Sequence, residues 1–529
     1  MTAFASSPSD TASIRAAPCI APCAASEARW VLAATILASS MVFIDGTLVN
    51  VALPALQREL GASLADVQWV VESYALFLAA LLLVGGAAGD RFGRRRVFSL
   101  GVMLFTAASI GCGLAANVGE LIVARAIQGV GGAMLVPGSL AIISASFEER
   151  ERGKAIGTWS AATSLMMAFG PVVGGWLIDH GSWRAAFFVN VPLAAIVLVL
   201  TRRHVPESRN AQAQGRLDWP GALLVTLGLG AVVYGLIESS AKGWAIAPVV
   251  TPIGLGVLAL TGFVFVEMRH SAPMLPLQLF RSRAFTGANL LTLLLYAALG
   301  GSLFFVPLNL IQVQHYSTTA AGAALLPLVL LLGGLSRWTG GLVDRYGARV
   351  PLAVGPIVAA CGFALFAVPG VGSRYWLTFF PAIVVLGMGL AITVAPLTTT
   401  VMNSVDTANA GAASGINNAA SRIAGLLAVA LFGIIMVPIF NRGLHHQLSG
   451  VAIAPAVMEA VEGQRNKLAA IEIPAGIDAR NREAAEHAIA QAFVTGFRWI
   501  MLVSAVFALA GAASAWILVR NPPSATPSP

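Results

Sequence analysis

Runs of about 20 mostly apolar residues, the length a bilayer core requires of a helix, recur about fourteen times along this 529-residue chain. They begin near Trp30, Leu64, Val97, Val118, Ala155, Ala185, Trp219, Ile246, Ala284, Thr319, Val350, Tyr375, Gly411 and Phe493. Hydrocarbon offers no water to satisfy peptide groups, so such runs can cross it only as helices. Charged residues make up 11% of the chain, against roughly 25% in soluble domains, which excludes a soluble fold. The 54 glycines suit helices that pack closely in lipid. The expected fold is an all-α integral membrane protein.

Orientation follows from the basic residues. With the N-terminus in the cytoplasm, the short inner loops hold sixteen Lys and Arg, from Arg91 to Arg349, and the short outer loops hold four: Arg58, Arg184, Lys242 and Arg374. This is a strong positive-inside bias. It also removes nucleic acid as a partner, because the formal net charge of +8 is spread along one membrane face. Residues 1–29 read as a cytoplasmic tail without the apolar core of a signal peptide, and 520–529 as a second cytoplasmic tail. The stretch 441–492 reads as a long polar loop outside, with a part from Arg482 to Ala492 able to form helix. Cys19 and Cys23 lack the companions of a zinc site, and Cys112 and Cys361 read as small buried residues.

An internal repeat divides the chain. Gly86-Ala-Ala-Gly-Asp90-Arg91-Phe-Gly93-Arg94-Arg95 follows the second span, and Gly340-Gly-Leu-Val-Asp344-Arg345-Tyr-Gly347 follows the tenth. Matched Gly and Asp positions go beyond what positive-inside loops need, and two similar halves are the mark of a secondary transporter.

Both segments resemble the loop signature of the major facilitator superfamily, in which the Asp bridges helix ends in the outward-open state. Further motifs resemble its fourteen-span drug/proton antiporter branch: Asp45-Gly-Thr47 through Pro54 in the first span, Arg125-Ala-Ile-Gln128-Gly129-Val-Gly131 in the fourth, and Gly170-Pro171-Val-Val-Gly174-Gly175 in the fifth. Trp183-Arg184 and Asn190-Val191-Pro192 fit the same branch. The resemblance implies a major-facilitator-type two-bundle transporter: a six-helix bundle over 30–201, an inserted pair of helices with their cytoplasmic loops over 202–283, and a second six-helix bundle over 284–519. Implied functions are multidrug efflux, antibiotic resistance and multi-pass residence in a bacterial cytoplasmic (inner) membrane. Some relatives work with a periplasmic adaptor; no residue here points to one.

The site argument needs no family. Of 24 acidic residues, only Asp45 and Glu72 fall well inside spans, where charge is costly and usually faces a partner or an aqueous cavity. At 1.5 Å per residue, Asp45 lies roughly 13 Å, Glu72 roughly 12 Å and Arg125 roughly 10 Å from the outer ends of their helices. A carboxyl in such surroundings holds a proton readily, and one that binds either a proton or a cationic cargo exchanges the two. Asp45 is the preferred proton site, with Glu72 as the alternative or as a cation-recognising group; a merely structural Asp45–Arg125 pair is the competing reading. Arg422, beside Asn417 and Asn418, either lines the cavity or binds carbonyls between helices. Pro171 bends its helix, and Gly170, Gly174 and Gly175 allow close packing that can seal or flex the interface between halves. Phe43, Trp69, Tyr74, Trp159, Phe169 and Tyr296 could meet flat cations by cation–π attraction.

No phosphate-binding G-x-x-x-x-G-K-[ST] loop, HExxH helix or clustered Cys/His site is present in the sequence, so neither ATP hydrolysis nor a cofactor is expected. The function expected is proton-coupled export of lipophilic, often cationic compounds, with protons and membrane lipid as its other partners. The alternatives are a dedicated exporter of one metabolite or antibiotic and, in another class, a channel or membrane enzyme.

Overall fold

The structure, a computed structural model, describes residues 25–209, 218–244, 246–269, 275–406, 410–449, 455–474 and 477–519. Both tails, with Cys19 and Cys23, lie outside the described residues, as do the side chains of Arg337 and Asp344. Fourteen helices are long and apolar enough to span a membrane, which makes the chain a multi-pass membrane protein.

The first six are α1 (Ala25–Leu60), α2 (Leu64–Phe92), α3 (Arg94–Leu114), α4 (Val118–Ser146), α5 (Glu149–His180) and α6 (Trp183–His204, broken at Val189). Two more, α7 (Trp219–Lys242) and α8 (Ala247–Arg269), precede α9 (Arg283–Leu308), which runs on as a wider turn to Val313. Then come α10 (Thr318–Leu335, continuing to Gly340), α11 (Arg349–Phe366), α12 (Phe379–Asn403), α13 (Ala410–Ser449) and α14 (Ala479–Leu518). Most starts match the hydropathy reading closely. The stretch 441–492 does not: α13 continues to Ser449 and α14 begins at Ala479, so much of it is helix. Hydropathy marks the part of a helix inside hydrocarbon, and these two extend beyond it. Cys361 is also exposed on α11 while Cys112 is buried; a thiol is apolar enough for either setting.

Local chemistry sets the ends. Ser63 and Asp66 form a capping box at the start of α2, each side chain accepting from the other residue's backbone N–H. Asn117 caps α4 through the Glu120 N–H at 2.9 Å. Gly93 closes α2 with φ of 109°, a left-handed conformation that favours glycine.

Within the first six helices α1 packs on α5, α4 and α6, and α4 on α2 and α3; α9 packs on α13 and α14, and α11 on α12 and α14. Helices α7 and α8 pack on one another, and α7 also touches α2 and α13. The two groups of six meet along α5–α10, α2–α13 and α1–α9.

How they meet defines the state of the molecule. At the outer end, Val49, Leu53, Leu64 and Val67 share one continuous apolar core with Phe305, Leu310, Ala321 and Phe432. At the inner end, Val31, Ala38, Phe98, Phe105 and Ile143 form a separate core of the first half alone. Toward the inner end of α10, Trp338 is 81% exposed. A Cβ added at Gly153 or Gly157, on the inner part of α5, would meet nothing. The halves are therefore closed outside and parted inside, leaving a cavity that opens inward.

Candidate functional site

Below the outer closure, Asp45 of α1 forms an ion pair with Arg125 of α4, both almost fully buried. Gln128, one turn after Arg125, donates to Asp45 Oδ1 at 2.8 Å and accepts from Arg125 at 2.8 Å. Arg125 Nε donates to the Val70 carbonyl at 3.1 Å, and its guanidinium lies 4.1 Å above the Tyr74 ring centroid. Asn190, the first residue after the break in α6, donates to Ser109 at 2.9 Å and, at 3.4 Å, to Asp45. Side chains of α4 and α6 thus reach the one carboxylate of α1, and groups of α2 and α3 hold those side chains in place. Its charge is matched by a guanidinium and two amides, which is how a buried ion becomes tolerable. Asn190 Oδ1 is buried with no hydrogen-bond partner among the described residues, so an acceptor sits idle beside the carboxylate.

Asp45 and Arg125, which the sequence places at one depth, are paired in the structure. Gln128 and Asn190 are visible in the sequence only as motif letters, because a neutral amide in a span gives no signal of cost. Glu72 is not joined to the network. Val70 and Tyr74 occupy one face of α2; Gln68 and Glu72, each two residues earlier, occupy roughly the opposite face. Gln68 donates to the Val429 carbonyl of α13 at 2.7 Å, placing this face in the seam between halves. Glu72 is 1% exposed, and its Oε2 has no hydrogen-bond partner among the described residues.

The α13 residues divide as well. Asn417 donates to Asn289 at 3.2 Å and to Thr292 at 2.6 Å, both on α9, and so holds two helices together. Asn418 is exposed and donates only to the Ser414 carbonyl one turn earlier. Arg422 is half-buried and has no ion-pair or hydrogen-bond partner among the described residues.

The two glycine motifs act at opposite ends of the first half. In the loop after α2, Arg94 Nε donates to Asp90 at 2.9 Å, and Glu207 accepts from the Arg95 N–H at 3.1 Å. Arg95 and Arg96 also lie 3.9 and 3.6 Å from Glu207. Gly86 packs beside Pro137, Gly93 beside Glu207, and Arg91 is exposed. Asp90 therefore pairs within its own half in this inward-open state. In α5, a Cβ at Gly170 or Gly174 would collide with Thr47 or Leu48 of α1. One at Gly175 would collide with the Thr318 backbone of α10, and the Pro171 carbonyl abuts Gly322.

A family model described as Major Facilitator Superfamily matches residues 35–429. The multidrug resistance protein Stp of Mycobacterium tuberculosis (strain CDC 1551 / Oshkosh) is 36% identical over 448 residues, 84% of this chain and 81% of that protein. The puromycin resistance protein pur8 of Streptomyces alboniger is 38% identical over 410 residues, 77% of this chain and 81% of its own length. Among solved structures, a bacterial homologue of the human lysosomal transporter Spinster, inward-facing and unoccupied, aligns with a TM-score of 0.67 at 19% identity, covering 94% of this chain and 97% of that one.

Proposed function

The chain belongs to the Major Facilitator Superfamily, and from that premise we propose that it is a proton-coupled antiporter, not an enzyme, exporting lipophilic and often cationic compounds by alternating access. Relatives named for multidrug and puromycin resistance support export of toxic small molecules.

The observation that carries the coupling is the buried Asp45–Arg125 pair at the head of an inward-open cavity. In this state the Asp45 carboxylate is paired with Arg125. When the outer side opens, a proton from outside binds Asp45, releases the Arg125 guanidinium and displaces cargo. Asn190 Oδ1, now idle, can accept from the protonated carboxyl after its amide turns. Reorientation inward returns the proton to the cytoplasm and restores the pair. Binding energy for cargo and for proton thus falls on different conformations, which is what exchange requires.

Proteoliposomes test this. An imposed pH gradient should drive cargo movement without ATP, and an ionophore that collapses the gradient should stop it. Asp45→Asn should insert normally and fail to pump. Uphill export by that variant would overturn the assignment; ion conductance would indicate a channel, and consumption of cargo an enzyme. The puromycin name of one relative favours a second reading, a dedicated exporter of a single compound, and a resistance profile in an efflux-deficient host separates the two.

A further inference from the structure

Among described side chains, the charges well inside the spans are Asp45, Glu72, Arg125 and Arg422. Three of these are enclosed, Asp45 and Arg125 by each other and Glu72 within the seam. Arg422 alone is half-buried and without an ion-pair or hydrogen-bond partner among the described residues.

Its place on α13 shows what it is open to. Ala424 and Ala428 pack with Ala297 of α9 and Phe507 of α14, while Leu426 and Ala430 pack with Leu76 of α2 and Val233 of α7. The remaining face carries Ser414, Asn418, Ser421, Arg422 and Gly425 at helical spacing, each half-buried or exposed. A lipid-facing stripe with an arginine and an asparagine would be costly, so this face borders the inward-open cavity. Arg422 stands seven residues, roughly 10 Å, below Val429, where Gln68 bridges the halves. It is at the head of the cavity. A Cβ on Gly425, one turn above, would meet nothing, so this face of α13 stays open above Arg422 as well. On the facing half, Tyr74 donates its hydroxyl to the Val42 carbonyl at 3.1 Å, and Asp45 is taken by Arg125.

We propose that Arg422 anchors an anion-accepting subsite at the head of the cavity, taking the carboxylate or other acidic group of a lipophilic cargo, with Asn418 and Ser421 as neighbouring hydrogen-bonding groups. The inference rests on the export reading above and widens the cargo class from lipophilic cations to acids and zwitterions. An arginine fits this task because its fork matches a carboxylate with two donors.

The test uses two probes that differ only in head group, pyrenebutyrate and pyrenebutylammonium, bound at equilibrium to the protein in phosphatidylcholine nanodiscs and corrected for empty discs. Arg422→Gln should weaken the acid about tenfold or more and leave the ammonium unchanged; Arg422→Lys should retain much of the acid binding. Retained ammonium binding also shows that the variants fold. Equal losses for both probes, or none, would overturn the subsite. Displacement of the acid by added phosphatidylglycerol would overturn the cargo assignment and give the subsite to a lipid headgroup. No gradient enters these measurements, so failure here is separable from failure of proton coupling, which Asp45→Asn tests alone.

Discussion

The carboxylate of Asp179, at the end of α5, grips the first turn of α10 across the seam: it accepts from the Thr318 and Thr319 N–H groups at 3.0 and 2.8 Å and from the Thr319 hydroxyl at 2.6 Å. This is a polar clasp at the outer rim of a closure whose other cross-seam side-chain bonds include Gln312 to Gln57 at 2.8 Å and Gln68 to the Val429 carbonyl at 2.7 Å, and it exists only while the outer ends touch. Asp179→Ala should therefore favour the outward-open state. After discount for the exposure of the carboxylate, the loss is about 1 kcal/mol, or about fivefold in population. Spin-label distances between the outer ends of α1 and α9 would report it; an unchanged distribution would mean the clasp contributes nothing to closure.

The glycines beneath that clasp give a sharper test. Gly175 and Gly322 let the α5 and α10 backbones touch, and a single methyl at either would wedge the outer end apart. Gly175→Ala or Gly322→Ala should insert normally, export little, and leave cysteines placed in the outer seam open to a membrane-impermeant thiol reagent. Full export by both would show that closure is less tight than this contact implies.

Removing one member of a buried ion pair strands the other. Arg125→Ala should destabilise the solubilised protein by about 3–5 kcal/mol, whereas the Asp45→Asn/Arg125→Ala double variant should recover part of that loss. Thermal unfolding of the four proteins closes the cycle. Additive effects would mean that the two charges do not support each other.

Glu72 separates from Asp45 by experiment as it does by geometry. Its Oε2 is buried without a partner among the described residues, so Glu72→Gln removes a carboxyl that would be costly to ionise there. The variant should be at least as stable as the parent, by about 1 kcal/mol at alkaline pH, and should keep gradient-driven export. Loss of pH dependence would transfer the proton site to Glu72.

What the sequence displays depends on how each feature is encoded. The spans are legible because crossing hydrocarbon demands a length and a composition that nothing else in the chain imitates. Asp45 and Arg125 are legible because an ion in a span is expensive and the two lie at one depth. Glu72 shares that depth, but which face of α2 it occupies depends on the neighbours, and these are set by the fold. Gln128 and Asn190, which complete the network, are too cheap in a helix to stand out. The pairing of Asp90 with Arg94 and the parted inner ends belong to one conformation, and a single string of letters does not specify a conformation.

The way α7 sits against both halves has a mechanical consequence. Leu229, Val233 and Ile237 rest on Leu76 from one side and on Leu426 and Ala430 from the other, through branched aliphatic surfaces with no directional bond to break. Such a contact resists separation, since lipid must fill any gap, yet offers little friction to sliding. The extra pair of helices is placed as a greased bearing, on which the two bundles can roll without coming apart.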